Sequence, residues 1–431
     1  MSTPSEPAGK ISPRSLHRLG VTCGFAAGAW LGAAEAPTKL VTAGFSPFVI
    51  SLGTVLGVFV ARWTVPMALK GTGYVWVDIK KKPHLIIWAL LAGALWAVAN
   101  TLTVFAIRDV GLSIAFPLWN TNSLIGLLWG WLLFGELAGA DRRHIIRVSG
   151  GAAAMAVGAC LLAFSTSWQA SIAPRAAATG IAAALGAALL WGTMYVPYRK
   201  AYLSGMNPLS FVTIFAFGQT ATVLLLTLAF EGGIHHLAAE LLRVRPVLFW
   251  LFLGGFCWVI GDLFQHYAAK YVGIGRGIPL SNTNQIWGLA WGALVFGEMN
   301  GAGLVTELLI GTGSLVMLAG AWAISLAEAP EGERAAWRSA ADRECRRYGL
   351  DVEQVTASLE GTDPLSREES TRSWWELAIV AAAIGVFVSL GLVVKRPAIS
   401  ADLGWIAVLV ALCAAFLGIA GSLLWRRTRF S

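Results

Sequence analysis

Two groups of amide side chains lie in otherwise apolar stretches of the chain. The first contains Asn120 and Asn122, and the second contains Asn282, Asn284 and Gln285. Amides carry hydrogen-bond donors and acceptors, which suits a neutral, polyhydroxylated ligand. In lipid they are costly unless they face protein or a water-filled cavity. The alternative is that they join helix to helix, as polar side chains do in membranes.

The two groups belong to one repeated stretch. Pro117–Glu136 recurs as Pro279–Glu298 at a constant offset of 162, and thirteen of the twenty positions are identical. Each copy begins with a proline, which weakens a helix and frees carbonyl groups that can line a cavity. The prolines therefore favour a ligand over a helix contact. Related groups in two repeats predict one solute cavity built from both halves.

An acid and a histidine lie together in a second apolar segment. Asp262, Gln265 and His266 have the i, i+3 and i+4 spacing that places side chains on one helix face. An acid in lipid is costly when charged, so it is paired, protonated or functional. We predict Asp262 and His266 as a proton-coupling site, with a buried structural pair as the alternative. The repeat mate of Asp262 is the neutral Asn100, as expected if one half alone carries the proton.

Three other acids lie in or near apolar segments. Glu35 is a second candidate for proton coupling, although it could instead pair with Lys39 one turn later. Glu136 and Glu298 each end a segment, where they are either interfacial or part of a gate.

Aromatic side chains extend the candidate solute site. The predicted substrate contacts are Trp96, Asn100, Trp119, Asn120, Asn122, Trp258, Asn282, Asn284 and Gln285. Tryptophan offers a flat face on which a sugar ring can stack, although packing is the more frequent role where tryptophan is common.

The sequence lacks signatures of catalysis and of metal binding. It has no nucleotide-binding Gly-Lys-Ser/Thr loop, no paired histidines with metal spacing and no Gly-x-Ser-x-Gly elbow. Gly273–Gly277 is rich in glycine, but it opens an apolar segment instead of following a strand, so it indicates a phosphate site only weakly. We predict no enzyme, no cofactor and no metal.

These residues are carried by long apolar segments. The chain of 431 residues is 13% charged, whereas soluble domains carry about 25% charged residues. A helix needs about 20 apolar residues to cross a bilayer. Twelve such segments lie near 19–40, 46–69, 84–106, 110–135, 145–165, 178–198, 209–230, 246–268, 272–297, 303–327, 374–394 and 403–425. The predicted fold is an all-α polytopic membrane protein.

The net charge of +8 is distributed in short basic clusters between the apolar segments. This pattern follows the positive-inside rule and does not indicate a nucleic-acid-binding surface. It places both termini in the cytoplasm and predicts a multi-pass protein of the inner membrane. The expected partners are a small solute, a proton and lipid, without nucleic acid. The oligomeric state is open, and a homodimer is one possibility.

The repeat divides the chain into parts. Each repeat has five spans, so the second enters the membrane from the opposite side and is inverted. The predicted parts are a cytoplasmic tail (1–18), the first repeat (19–165), the second repeat (166–327), a polar cytoplasmic connector (328–373), two further transmembrane helices (374–425) and a basic tail (426–431). The connector is either an amphipathic linker or a regulatory domain.

Phe134–Glu136 and Phe296–Glu298 repeat the tripeptide Phe-Gly-Glu at the end of the fourth helix of each half. In this the chain resembles the drug/metabolite transporter superfamily over about residues 20–327. Pro117–Asn122 and Pro279–Gln285 resemble its bacterial sugar-uptake branch, which holds the glucose/ribose porters and the rhamnose–proton symporter. The resemblance implies proton-coupled import of a monosaccharide by alternating access.

Two other functions stay open. An exporter of drugs, amino acids or other metabolites would share the fold, although an aromatic, acid-lined pocket without amides would favour it more. A non-transporting receptor or scaffold would signal through residues 329–372. Residues 328–431 depart from the ten-helix pattern of the superfamily, so the resemblance does not explain what these residues do.

Overall fold

The computed structural model describes residues 11–41, 44–110, 115, 118–167, 174–297, 303–363, 372–395 and 401–431, and all regular structure in these ranges is helical. The α-helices are α1 Pro13–Lys39, α2 Pro47–Arg62, α3 Val65–Lys70, α4 Gly73–Lys81, α5 His84–Val110, α6 Asn122–Phe134, α7 Arg142–Ser167, α8 Pro174–Leu203, α9 Pro208–Phe230, α10 Ile234–Val244, α11 Leu248–Val272, α12 Ile274–Ser281, α13 Asn284–Ala290, α14 Leu304–Ser325, α15 Glu331–Tyr348, α16 Val352–Leu359, α17 Trp374–Val393 and α18 Leu403–Thr428. A π-helical turn, Trp291–Val295, continues α13.

Nine helical stretches of the described chain are long and apolar enough to cross a membrane. They are Pro47–Lys70, His84–Val110, Arg142–Leu162, Arg175–Leu203, Pro208–Phe230, Ile234–Val272, Leu304–Ser325, Trp374–Val393 and Leu403–Thr428. This confirms the predicted all-α polytopic membrane protein. α1 is a further helix of 27 residues over the first predicted segment.

Two predicted spans, 110–135 and 272–297, are interrupted and are not single continuous helices. In the second of them, α12 ends at Ser281 and α13 begins at Asn284. In the first, α6 begins only at Asn122. Both breaks therefore fall at the amide groups. A hydropathy window averages over such a short polar interruption, so hydropathy alone predicts one continuous helix for each segment.

The break between α12 and α13 has a local cause. Pro279 has no backbone N–H to donate within the helix. The hydroxyl groups of Ser281 and Thr283 donate to carbonyls three residues earlier, at 2.7 and 2.9 Å. Hydroxyls bonded in this way compete with the helical backbone pattern. The polar side chains are thus placed at the ends of two short helices.

Helix pairs match between the two halves of the chain. α1 packs on α11 as α8 packs on α5, and α2 packs on α11 as α9 packs on α5. A Cβ added at Gly32 would lie 2.5 Å from Trp287 Cβ, and one added at Gly192 would lie 2.5 Å from Ile125 Cβ. Trp287 is the repeat mate of Ile125. Two related halves require such matched contacts, whereas the inverted ten-helix repeat itself stays a prediction.

The parts outside the predicted repeats take two positions. α17 packs on α3 and α11, and α18 packs on α1. Only 11% of the apolar window of α17 and 17% of that of α18 is buried, so both helices offer apolar faces to lipid. The connector helices instead contact the short helix α6 and the long helix α8: α15 packs on both, and α16 packs on α8.

Candidate functional site

The acid and the histidine of α11 lie together with tyrosines from α8. Asp262 and His266 are both 0% exposed, and His266 Nε2 lies 3.2 Å from Asp262 Oδ2. His266 Nδ1 is hydrogen-bonded to the hydroxyl of Tyr202. The ring of Tyr198 is stacked on the imidazole at 4.0 Å between centroids. With Tyr202 as the donor, the histidine is neutral and its Nε2–H faces the carboxylate.

Asp262 has no lysine or arginine within ion-pair distance among the described residues, and His266 is its ionisable partner there. No donor in that part of the chain is aligned for a hydrogen bond to either carboxylate oxygen. A buried carboxylate is costly without compensation. His266, or a proton, is what compensates it.

An aromatic cluster continues from this pair along α11. Trp258 lies one turn before Asp262, and its ring centroid is 4.7 Å from that of Trp96 on α5. Phe215 from α9 lies nearly parallel to Trp258 at 6.3 Å and also faces His266 at 6.2 Å. Trp96 and Trp258 are repeat mates, so the predicted tryptophan pair meets where the two halves face each other.

The two amide groups also meet. Asn282 Nδ2 donates to Asn120 O at 3.1 Å and to Asn122 Oδ1 at 3.0 Å. The three residues are each 5% exposed. Asn282, at the break between α12 and α13, is therefore bonded to a backbone carbonyl and a side chain at the break before α6. In this conformation these contacts join the half-helices, as the helix-contact alternative requires.

Other amide atoms at the break have no partner. Asn284 Oδ1 and Gln285 Nε2 are buried and lack a hydrogen-bond partner within the described residues. One is a hydrogen-bond acceptor and the other a donor, so each can bond a polar group of a ligand. Gln265 connects this region with the acid, because its Nε2 donates to Ser281 Oγ at 2.6 Å.

Two predicted substrate contacts have other neighbours. The ring of Trp119 lies 6.1 Å from that of Trp191, within an alanine-rich cluster of α5 and α8. Asn100 Nδ2 donates to Ser51 Oγ on α2 at 2.9 Å. These contacts give both residues a packing or bonding role outside the amide group.

Glu136 is a buried residue at the end of α6, with an exposure of 1%. Its carboxylate accepts from Ile274 N and Gly275 N, both at 2.8 Å, and so caps the start of α12. Arg199 Nε lies 3.7 Å from it. Burial raises the pKa of the Glu136 carboxyl, and the charge of Arg199 acts in the opposite direction. Both assignments of Glu136, interfacial residue and part of a gate, stay predictions.

Two predicted residues cannot be placed. Glu298 lies outside the described residues. The backbone of Glu35 is part of α1, but its side chain also lies outside what the structure describes. Both assignments stay predictions.

Sequence reasoning missed several residues that the structure brings to the site. They are Tyr198, Tyr202, Arg199, Arg276 and Glu333. The two tyrosines have the i, i+4 spacing that indicates a shared helix face, and that signal was available. Arg276 lies in the Gly-rich stretch that was noted for phosphate. Glu333 had no local signal, because it is one of many charges in the connector.

The comparison with family models matches one stretch of the chain, from α8 to α14. Residues 178–325 match the EamA-like transporter family. The match spans about a third of the chain and includes Tyr202, Asp262, His266 and Asn282. It indicates a membrane transporter of the drug/metabolite type, in agreement with the superfamily that the sequence resembles. The narrower resemblance to the sugar-uptake branch stays a prediction.

Two further comparisons complete this picture. A search of curated proteins found no match. A solved structure titled "Crystal structure of protein" is 16% identical, with a TM-score of 0.50, and the alignment covers 72% of this chain and 98% of that chain. At this identity the likeness is one of fold alone.

Proposed function

We propose that the chain is a secondary transporter that imports a small neutral polar solute, a monosaccharide, together with a proton by alternating access. The observation that carries this proposal is the bond between Asn282 and the first amide group, at the breaks of two predicted membrane spans. Breaks of this kind are where transporters bind solute near the membrane midplane.

The amide chemistry supports a neutral, hydroxylated solute. Asn284 Oδ1 and Gln285 Nε2 offer an acceptor and a donor that bond no other group among the described residues. The bonds of Asn282 to Asn120 and Asn122 can be exchanged for bonds to sugar hydroxyls at little net cost. The Trp96–Trp258 pair supplies flat apolar surface for a ring face.

The pair on α11 supports proton coupling. A proton on Asp262 removes its charge and weakens its attraction to His266. Gln265 lies on the same helix and is bonded to Ser281, which immediately precedes Asn282. A shift of α11 on protonation therefore reaches the amide group through one hydrogen bond. This contact is the physical route by which proton and solute binding influence each other.

The test measures external pH in lightly buffered cells that express the protein, while rhamnose, glucose, ribose and other sugars are added singly. Alkalinisation with one sugar supports proton symport and names the solute. No response to any sugar, with the protein verified in the membrane, contradicts proton-coupled sugar import.

Export of an apolar cation is the alternative. It is favoured by the aromatic rings of Trp258, Phe215 and Tyr198 beside the buried carboxylate of Asp262, since such rings bind cations on their faces. Raised tolerance of an expressing strain to cationic drugs, without sugar uptake, would support it over import.

We also propose that the connector side is cytoplasmic. Basic residues that are predicted to lie inside gather there: Lys200 pairs with Glu344 at 2.9 Å, and Lys81 donates to Gln354 at 3.2 Å. On the other side, Lys395 N donates to Pro246 O. The larger number of basic residues favours the connector side as the inside.

A further inference from the structure

The polar connector buries a charge against the predicted transport core. Glu333 on α15 is 0% exposed and Arg276 on α12 is 1% exposed. Both Nη atoms of Arg276 bond the carboxylate, with Nη1 3.0 Å from Glu333 Oε2. Arg276 Nε donates to Val272 O at 2.7 Å. Desolvated ions need such complete bonding, because removing one partner leaves an uncompensated buried charge.

Glu333 also connects the two interrupted helices. Its Oε2 accepts from Leu137 N at 2.9 Å, just beyond the end of α6, while Arg276 belongs to the first turn of α12. α6 begins with Asn122, and α12 ends just before Asn282. One carboxylate of the connector thus holds the far ends of both half-helices whose near ends carry the amide group.

Trp337 makes a second contact, one turn along α15. Its ring lies 3.9 Å from Arg199 Cζ on α8. Arg199 is 0% exposed, and its Nη1 donates to Lys270 O at 3.2 Å. Tyr202, which bonds His266, lies on the same helix three residues after Arg199. The connector therefore also contacts the helix that orients the histidine.

The contacts continue along the same face of α15. Glu344 pairs with Lys200 at 2.9 Å, and Tyr348 stacks on His84 at the start of α5 with 3.6 Å between ring centroids. At about 3.6 residues per turn, the four contact positions of α15 fall on one side of the helix. α15 therefore contacts α12, α6, α8 and α5 along its length.

We propose that α15 is a latch that holds the transporter closed on the connector side. The inference rests on the proposed function, because alternating access requires this side to open. The far ends of α6 and α12 stay together while Glu333 bonds both, and Trp337 holds α8 beside them. Opening therefore requires α15 to move away, and weakening the Glu333–Arg276 pair shifts the population toward the open state.

The test is amide hydrogen exchange in the full-length protein, purified in detergent, without solute. Glu333→Gln keeps the shape of the side chain and removes its charge. Glu331→Gln is the matched control, since Glu331 is exposed on the same helix. We expect exchange over 273–281 and 134–138 to become about tenfold faster with Glu333→Gln, the effect of losing one charge-assisted hydrogen bond. The control should match the wild type.

Faster exchange confined to 331–348, with the core segments unchanged, would overturn the latch, because α15 would then be a peripheral attachment. Trp337→Leu, at a half-buried side chain, gives an independent test if Glu333→Gln does not fold. It should speed exchange over 199–203 and 273–281, and unchanged exchange there overturns the proposal. Sugar uptake is measured separately, so a wild-type protein that transports nothing contradicts the proposed function without altering the exchange result.

Discussion

The imidazole of His266 connects an acid on its own helix with a phenol on another. Its two ring nitrogens face Asp262 and Tyr202. A change of protonation at one nitrogen therefore affects the contact of the other nitrogen without rotation of the ring. With the hydroxyl of Tyr202 as the donor to Nδ1, Nε2 is the nitrogen that carries the proton toward the carboxylate. We regard Tyr202 as a positioning residue for coupling.

Replacing Tyr202 with Phe should lower proton-coupled uptake about fivefold, the effect of one lost hydrogen bond of about 1 kcal/mol. The pH at which uptake is half-maximal should shift as well, because Nδ1 loses its donor. Tyr198→Phe is the matched control, since that ring stacks on the imidazole while its hydroxyl lies 3.9 Å from Met194 Sδ. Equal pH profiles for both variants would contradict the positioning role.

The amide side chains at the break differ in their hydrogen-bond partners. Substitutions there can therefore distinguish a role in solute binding from a role in helix packing. Gln285→Leu removes a buried amide nitrogen that has no hydrogen-bond partner in the part of the chain that the structure describes, so stability should stay the same or rise while uptake falls about tenfold. Asn282→Ala removes two hydrogen bonds and should lower both the melting temperature and uptake. Thermal unfolding and uptake are measured on the same preparations. A loss of stability with Gln285→Leu would mean that this residue joins helices.

Among the elements, the short helices α6 and α13 position the site. Each begins at an amide residue, and each packs on a long helix of the other half through glycine. Gly192 on α8 lies against Asn122 O and Ile125, and Gly32 on α1 lies against Asn284 O and Trp287. Because no side chain intervenes, the broken backbone is held at a fixed position.

Gly192→Ala should lower the free energy of unfolding by about 1–3 kcal/mol, since overpacking forces neighbours to shift. Gly311→Ala is the control, because a Cβ at Gly311 meets no atom within 4 Å. Thermal unfolding in detergent measures both. Equal melting temperatures would show that α8 does not hold α6 closely.

Several elements of the site could be predicted from sequence, and others could not. The meeting of Asn120 with Asn282 follows from their identical surroundings at one offset, and the Asp262–His266 pair follows from helical spacing. The pairing of Arg276 with Glu333 spans 57 positions. It joins two charges that have no shared local pattern. Such contacts depend on tertiary packing and leave no periodic signal in the chain.

For the whole molecule, the described ends of the bundle differ in charge. Connector, basic loops and the buried Glu333–Arg276 pair lie at one end, whereas the segments around Pro246 and Lys395 meet at the other. This arrangement predicts which surface faces the cytoplasm. It also puts the connector on the same side of the bundle as Glu136, which caps α12. A loose linker would not need to lie at a fixed position there.

Sidedness is tested with single introduced cysteines and a membrane-impermeant thiol reagent on intact cells. Glu231→Cys, in the turn between α9 and α10, should be labelled from outside. Arg338→Cys, at a side chain 69% exposed on α15, should be labelled only after permeabilisation. The unmodified protein is the control for the native thiols. Labelling of Arg338→Cys in intact cells would reverse the proposed orientation.

The most direct test of proton-coupled import is Asp262→Asn, which keeps the shape of the side chain and removes its charge. Solute uptake is compared in proteoliposomes with an imposed pH gradient and with pre-loaded solute. We expect gradient-driven accumulation to be lost while exchange of pre-loaded solute continues, because solute binding does not need the carboxylate. Accumulation equal to that of the wild type would contradict Asp262 as the coupling site.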